Sequence, residues 1–365
     1  MIRYTLFIIT FLLLGSCVSQ KPEKNNNPKQ AKNIILLIGD GMGVAQIYSA
    51  ISTSEEKLNF EQFKIIGFHK THSATDYITD SGAGGTALAT GVRTCNSCIS
   101  IDTLGNPLKT ILEFAEENKL ATGLVSTSSI LHATPASFIS HVSSRNEYEK
   151  IATFFLKTEI DVFIGGGKKH FMHRKDSLNL IDSLINRGYL ISDSVCHIPK
   201  DYNGKLAVFT AFVHNPYKKE GRTNMLPDAT EKAIEMLSKN DNGFFLMVEG
   251  SEIDWGGHDN DIEVVVSETI DFDKAIGKAL EFAKKDGETL VVVTADHETG
   301  GLTLVEGDLV KKTIVTNFST DDHTGVMVPV FAFGPGAEKF GGIYNNTEVF
   351  EKMMSSFNFK KYSNK

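Results

Sequence analysis

The 365-residue chain has no internal repeat and no low-complexity tract, which excludes solenoid and fibrous architectures. It has no basic excess either. Its 37 Lys and Arg stand against 45 Asp and Glu, a formal charge of −8, so no nucleic-acid-binding face is expected. The same balance repels anions, and an anionic substrate would have to be held by local positive charge. Prolines number nine against 31 glycines, which suggests many tight turns. Cysteines number four. Cys95 and Cys98 have CxxC spacing, but no second ligand pair lies nearby to build a zinc knuckle. A short disulfide in an exported chain, a redox pair or a bystander pair all fit, and Cys196 is expected to be free.

Long apolar runs are also missing. Arg3 precedes the run Leu6–Leu14, which falls short of the roughly 20 residues a membrane-spanning helix needs. The following Leu14-Gly15-Ser16-Cys17 looks like a bacterial lipobox, which predicts a signal peptide over 1–16 and a lipid on Cys17. The stretch to residue 30 is polar and reads as a tether, so folding is expected to begin near Ala31.

What the chain does have is alternation. Short apolar runs at Ile34–Ile38, Ile65–Phe68, Gly123–Ser126, Val162–Ile164, Phe244–Val248, Leu290–Val293 and Val328–Phe333 read as strands. Amphipathic patterns near Thr110–Asn118, Glu147–Thr158, Ser177–Arg187, Thr230–Lys239 and Asp261–Lys284 read as helices. In the last of these, Ile262, Val265, Val266, Ile270, Ala275, Ile276 and Ala279 have core-facing spacing. The pattern predicts an α/β three-layer sandwich, a central mainly parallel sheet flanked by helices, over 31–365. Residues 168–227 have weaker periodicity and are expected to form a cap or insertion.

Three strand runs end in chemistry. Ile34–Ile38 leads to Asp40, Phe244–Val248 leads to Glu249, Asp254 and His258, and Leu290–Val293 leads to Asp296 and His297. Ligands bind beyond the carboxyl ends of parallel strands, so these groups would converge. Carboxylates packed together do not all ionise without cations to neutralise them. Asp and His suit zinc, whereas an oxygen-only set such as Asp40, Glu249 and a hydroxyl suits magnesium. Ser81, in Thr79-Asp80-Ser81-Gly82-Ala83-Gly84-Gly85, reads either as a nucleophile at an anion-favouring helix N-terminus or as an ordinary N-cap. No Ser-His-Asp logic surrounds it, so activation would have to come from metal.

The segments AKNIILLIGDGMG, TDSGAGGTALATGVRT, ATPASFISHVSSR, VEGSEIDWGGH, TADHETGG and HTGV resemble, as a set and in order, those of alkaline phosphatases. The resemblance spans Ala31 to about Phe357 and implies roles by position. Ser81 matches the phosphorylated serine, and Asp254, His258 and His323 match the ligands of one zinc. Asp40, Asp296 and His297 match those of a second zinc beside Ser81, with magnesium held by Asp40, Thr134 and Glu249. Arg145 matches the arginine that grips two phosphate oxygens, and Asp80 is expected to position it. The implied enzyme carries two Zn2+ and one Mg2+ per chain. It hydrolyses small phosphate monoesters at alkaline pH and is held to the cell envelope by the lipid on Cys17. A homodimer is usual in the family, but nothing in the sequence marks an interface, and a monomer fits equally.

Three positions depart from the best-known bacterial pattern: His132 stands for aspartate, Trp255 for lysine and Thr299 for histidine. Weaker phosphate retention and easier metal loss are expected from them. His69, His72 and His141 are expected to be packing residues, and Lys168-Lys169-His170 a solvated loop. Related chemistries fit less well. A sulfatase needs a CxPxR motif, which neither Cys95 nor Cys98 begins, and a diesterase would lack the Arg145 grip. A pure binding protein would need no nucleophile.

Overall fold

The structure, a computed structural model, describes residues 30–357. The signal peptide and the lipid-bearing Cys17 expected from the sequence lie outside the described residues. Among the described residues no helix is long and apolar enough to cross a membrane.

Fourteen strands occur among the described residues, numbered in chain order: β1 Asn33–Gly39, β2 Ile65–Lys70, β3 Ala121–Ser129, β4 Val162–Gly166, β5 Tyr189–Ser192, β6 Lys205–Phe209 and β7 Phe244–Gly250. Then come β8 Thr289–Thr294, β9 Glu298–Thr299, β10 Thr303–Asp308, β11 Thr313–Asn317, β12 His323–Thr324, β13 Val328–Phe333 and β14 Gly342–Asn345. Ten of them form one sheet in the order β14-β2-β13-β8-β1-β7-β3-β4-β6-β5. Within it only β13 runs antiparallel to its neighbours. All seven strands expected from apolar runs are present, each at or just beyond its expected bounds.

The alternation of side chains along β1 explains the layers. Ile34, Leu36 and Ile38 point to one face, Ile35 and Leu37 to the other, and all five are fully buried. The first face carries α2 Ser81–Thr90, after α1 Val44–Thr53 in the chain, together with α3 Ile111–Glu117, α4 Ala133–Ile139, α5 Tyr148–Phe154, α6 Lys169–Met172 and α7 Leu180–Asn186. The second face carries α1, α8 Met225–Leu237, α9 Glu252–His258 and α10 Ile262–Asp286. The C-terminal helix α11 Asn346–Phe357 returns to the first face and packs on α2.

Residues 168–227, expected as a cap or insertion, contribute β5 and β6 to the sheet edge. They then return toward the site, where His214 and Tyr217 lie edge-on to Trp255. The core-facing side of α10 is the expected one: Val265, Ala275, Ile276 and Ala279 are buried, half-buried Ile262 and Ile270 pack against the same core, and Val266 alone does not join them. Beside them Glu268, Asp271 and Asp273 also go inside. Arg222 pairs with Glu268, Asp271 and Glu252, while Asp273 accepts from the amides of Asn59 and Phe60. Burial of charge is tolerable only with such partners.

Candidate active site

Four adjacent strands, β8-β1-β7-β3, bring their carboxyl ends to one place. In register, Ile38 faces Glu249 on one side and Thr294 on the other, and Glu249 faces Ser126. Asp40 and Asp296 each follow two residues later, so the polar residues of separate segments are forced together. Gly41 makes the turn after Asp40 at φ 72°, and a Cβ there would stand 2.7 Å from the Asp254 Cα. Only glycine fits both the backbone and the space.

Ser81 is the first residue of α2, and the N-cap is Asp80, whose Oδ1 accepts from the Ala83 N–H at 3.0 Å. The serine is therefore not spent on capping. Its Oγ is buried and lies 3.2 Å from His297 Nε2. Helix α2 can come this close to the strand ends because it is built of small residues: a Cβ on Gly84 would approach the Asp296 Cβ to 3.0 Å. Asp80 Oδ2 accepts from Arg145 Nη1 at 2.9 Å, which sets the guanidinium beside the serine.

The imidazoles are oriented by what their other nitrogens touch. His323 Nδ1 lies 2.8 Å from the Thr79 carbonyl and His258 Nδ1 2.6 Å from the Asp321 carbonyl. A carbonyl only accepts, so Nδ1 carries the proton in both rings and Nε2 presents a lone pair. Thr299 Oγ1 donates to Asp254 Oδ1 at 2.5 Å and has only one proton. It must therefore accept from His297 Nδ1 at 3.2 Å, which fixes that ring in the same tautomer.

Two clusters result. His258 Nε2 lies 3.1 Å from His323 Nε2 and 3.4 Å from Asp254 Oδ1, and His323 Nε2 lies 3.6 Å from the same oxygen. In the second, His297 Nε2 lies 3.3 Å from Asp40 Oδ1 and 3.4 Å from Asp296 Oδ2. These are lone pairs facing lone pairs. Two ligands about 2 Å from one tetrahedral ion stand ~3.3 Å apart, the spacing seen here. A third cluster joins Asp40, Glu249 and His132, with Thr134 Oγ1 donating to Asp40 Oδ2 at 3.1 Å.

Asp40, Glu249 and Asp296 each have one oxygen tied down and one left over. Asp40 Oδ2 is held by Thr134, Glu249 Oε2 by Ser126 at 2.6 Å, and Asp296 Oδ1 by the His297 N–H at 3.1 Å. The remaining oxygens, Asp40 Oδ1, Glu249 Oε1 and Asp296 Oδ2, are buried without a hydrogen-bond partner, as is His132 Nδ1. Orphans of this kind call for an ion or water, and carboxylate and imidazole donors in such a set fit divalent cations.

The electrostatics agree. Burial pushes Asp296 up to about 8, with Asp254 and Glu249 adding to the shift. Burial likewise holds Asp40 well above the usual carboxylate range, and Asp296, Asp254 and Glu249 reinforce it. Burial, then the charges of His323, Arg145 and His258, keeps His297 far below the usual histidine range, so its ring is a neutral donor.

Every candidate residue within the described range thus falls in one region, with Trp255 at its edge against His132, His214 and Tyr217. Several contributors escaped sequence reasoning. Ser126 holds Glu249 and is met in turn by the Ser251 hydroxyl at 3.0 Å, and Asp322 lies within reach of His258 and His323. The signal for Ser126 was available, a polar run closing an apolar strand. His69, His72 and His141 bond to backbone carbonyls or to Glu113. His170 stacks on Tyr148 at 4.8 Å.

The family model for alkaline phosphatase matches residues 31–317. Alkaline phosphatase 3 of Bacillus subtilis is 35% identical over 93% of this chain and 92% of its own length. The Escherichia coli alkaline phosphatase is 32% identical over 91% and 87%. Among solved structures, the alkaline phosphatase of the Antarctic bacterium TAB5 superposes with a TM-score of 0.87 at 42% identity, covering 92% of this chain and all of that one. Two variants of that enzyme, each with a histidine replaced by a carboxylate residue, have magnesium bound in a site designated M3.

Proposed function

The chain belongs to the alkaline phosphatase family and is a metal-dependent phosphate monoester hydrolase, and from that premise we propose that Ser81 is its nucleophile and that its metals are two zinc ions and one magnesium. The observation that carries this reading is the set of orphaned carboxylate oxygens and inward-facing Nε2 atoms beside Ser81 Oγ. Asp254, His258 and His323 would hold one zinc, and Asp40, Asp296 and His297 the other. Asp40, Thr134 and Glu249 would hold magnesium, with the His132 ring beside them. When bound, the cations neutralise the carboxylates and supply Lewis acidity for the serine oxygen and the leaving oxygen.

The chain's own residues do the rest. Asp80 holds Arg145 so that the guanidinium can grip two non-bridging oxygens of the incoming phosphate. Ser81 Oγ attacks phosphorus, and the ester P–O bond breaks in line. The alcohol leaves with a proton, giving the phosphoserine general to the family. Water then attacks phosphorus from the side the alcohol left, the Ser81 Oγ–P bond breaks, one proton of the water returns to Ser81 Oγ, and inorganic phosphate departs. A dianion with three free oxygens suits this grip, whereas a diester offers one fewer.

We further propose that the chain is exported and anchored through a lipid on Cys17. The Cys95–Cys98 disulfide supports this, since such bonds persist in oxidising compartments. The deciding experiment measures zinc and magnesium content together with hydrolysis of a nitrophenyl monoester and its diester, with and without chelator. Ser81→Ala should abolish phosphoenzyme formation and keep the metals. Full activity in that variant, or hydrolysis indifferent to chelation, would sink the assignment.

A further inference from the structure

The two residues that the disulfide encloses hydrogen-bond to the segment just before Ser81 and to Arg145. Asn96 Oδ1 accepts from the Asp80 N–H at 3.3 Å, and Asn96 Nδ2 donates to the Ile78 carbonyl at 3.0 Å. Ser97 donates its N–H to Asp80 Oδ1 at 3.0 Å, and its carbonyl accepts from the Arg145 N–H at 2.8 Å. The Cys98 N–H closes the turn on the Cys95 carbonyl at 3.1 Å. Four outward hydrogen bonds of Asn96 and Ser97 thus end on the segment leading to Ser81 or on Arg145.

We propose that Asn96 and Ser97, held by the Cys95–Cys98 bond, are positioning residues for the phosphate grip, acting through Asp80 on the Arg145 guanidinium. The proposal rests on the reading of Arg145 as the phosphate-binding group. Asp80 serves three partners: its Oδ1 takes the Ala83 and Ser97 amides, and its Oδ2 takes Arg145 Nη1. Its carboxylate plane is set by the first two, and the third follows. Ser97 makes its contacts from a left-handed φ of 68°, which a non-glycine residue adopts only when its surroundings hold it there. Ser97 is exposed and Asn96 half-buried, so side-chain packing does little of that holding. The covalent link does. Opened, the turn can relax toward ordinary backbone, which withdraws the Ser97 amide from Asp80 and its carbonyl from Arg145 together.

The test uses the full-length, metal-loaded enzyme with Cys95→Ala and Cys98→Ala combined. Phosphate inhibition constant and monoester KM should rise about tenfold, short of losing a whole charge-assisted hydrogen bond. The preference for monoester over diester should fall by a similar factor at unchanged metal content, which a general loosening of the fold would not produce. In an Asp80→Ala background the same cysteine substitutions should add nothing, since coupled residues are non-additive. An unchanged phosphate inhibition constant, or an equal effect in both backgrounds, would overturn the proposal. If Arg145→Ala alone leaves phosphate inhibition unchanged, the grip itself is misassigned and the proposal falls with it. Should the cysteine variant not fold, a water-soluble phosphine opens the bond in the native enzyme. Phosphorus gives up two electrons and takes the oxygen of water, and the two thiols take its protons. Phosphate inhibition should weaken on reduction and recover on reoxidation, and no change would overturn the proposal.

Discussion

Thr299→Val removes one hydroxyl and keeps the shape, and that hydroxyl is shared by residues of both proposed zinc sites. It donates to Asp254 Oδ1 and accepts from His297 Nδ1. A hydrogen bond to a buried charged group is worth about 1.5–3 kcal/mol. An ion on Asp254 would withdraw part of that charge, which favours the lower end. Loss of a group that orients a metal ligand costs ~10–100-fold in metal affinity, or about 1.4–2.7 kcal/mol, and the two estimates agree. Both zinc sites should weaken in parallel by about that factor. Magnesium at the proposed site of Asp40, Thr134 and Glu249, which Thr299 does not touch, should be retained. Titration with a chelator followed by elemental analysis reads this directly, and excess zinc should restore most of kcat. Thr299→Ser, which keeps the hydroxyl, should behave like the parent. Loss confined to magnesium, or a kcat deficit that zinc does not rescue, would refute the reasoning.

Trp255→Lys should tighten phosphate inhibition about tenfold, because a cation would replace a ring now packed edge-on against His214 at 5.0 Å; an unchanged inhibition constant would count against it. Gly41→Ala combines a left-handed backbone with a Cβ contact at 2.7 Å, and should cost about 2–5 kcal/mol by denaturant unfolding, together with loss of both zinc ions. The metal-free protein should lose stability as pH rises from about 6.5 to 8. Asp296 holds its proton up to about 8 when folded but releases it near pH 4 when unfolded, so for this group stability falls as pH rises through that range. Below about pH 6.5 the buried His297, held far below the usual histidine range, works the other way, because only its unfolded form takes up a proton. A metal-free Tm that climbs between about pH 6.5 and 8 would contradict the electrostatics, whereas the loaded enzyme should show no such decline.

Much of this site was readable because strand ends are sharp. The apolar runs of β1, β7 and β8 stop where Asp40, Glu249 and Asp296 begin, and a parallel sheet leaves those residues little choice of destination. Ser81 was not readable alone, since serine is an equally good N-cap. The difference lies in Asp80, which takes the capping role and leaves the hydroxyl free. Strands β5 and β6 fall within 168–227, whose weak periodicity pointed to an insertion and hid them. On α10 the apolar spacing marked the core face but not the charged residues buried with it. A count of apolar spacing cannot see that Arg222 waits across the interface for Glu268 and Asp271. The bridging role of Thr299 required three-dimensional proximity between Asp254 and His297, which spacing does not encode.

The short ladder of β9 and β12 has a bearing on how such a chain can vary over time. Thr299 and His323 are direct register partners, and the β10–β11 hairpin, with Leu309 and Val310 exposed near its tip, leaves and returns through that ladder. The excursion is closed at its root by backbone hydrogen bonds rather than by its own length. Residues can therefore be gained or lost at the tip without moving either end. Drift in that hairpin is insulated from the chemistry, and surface novelty can accumulate there while His323 stays where it is.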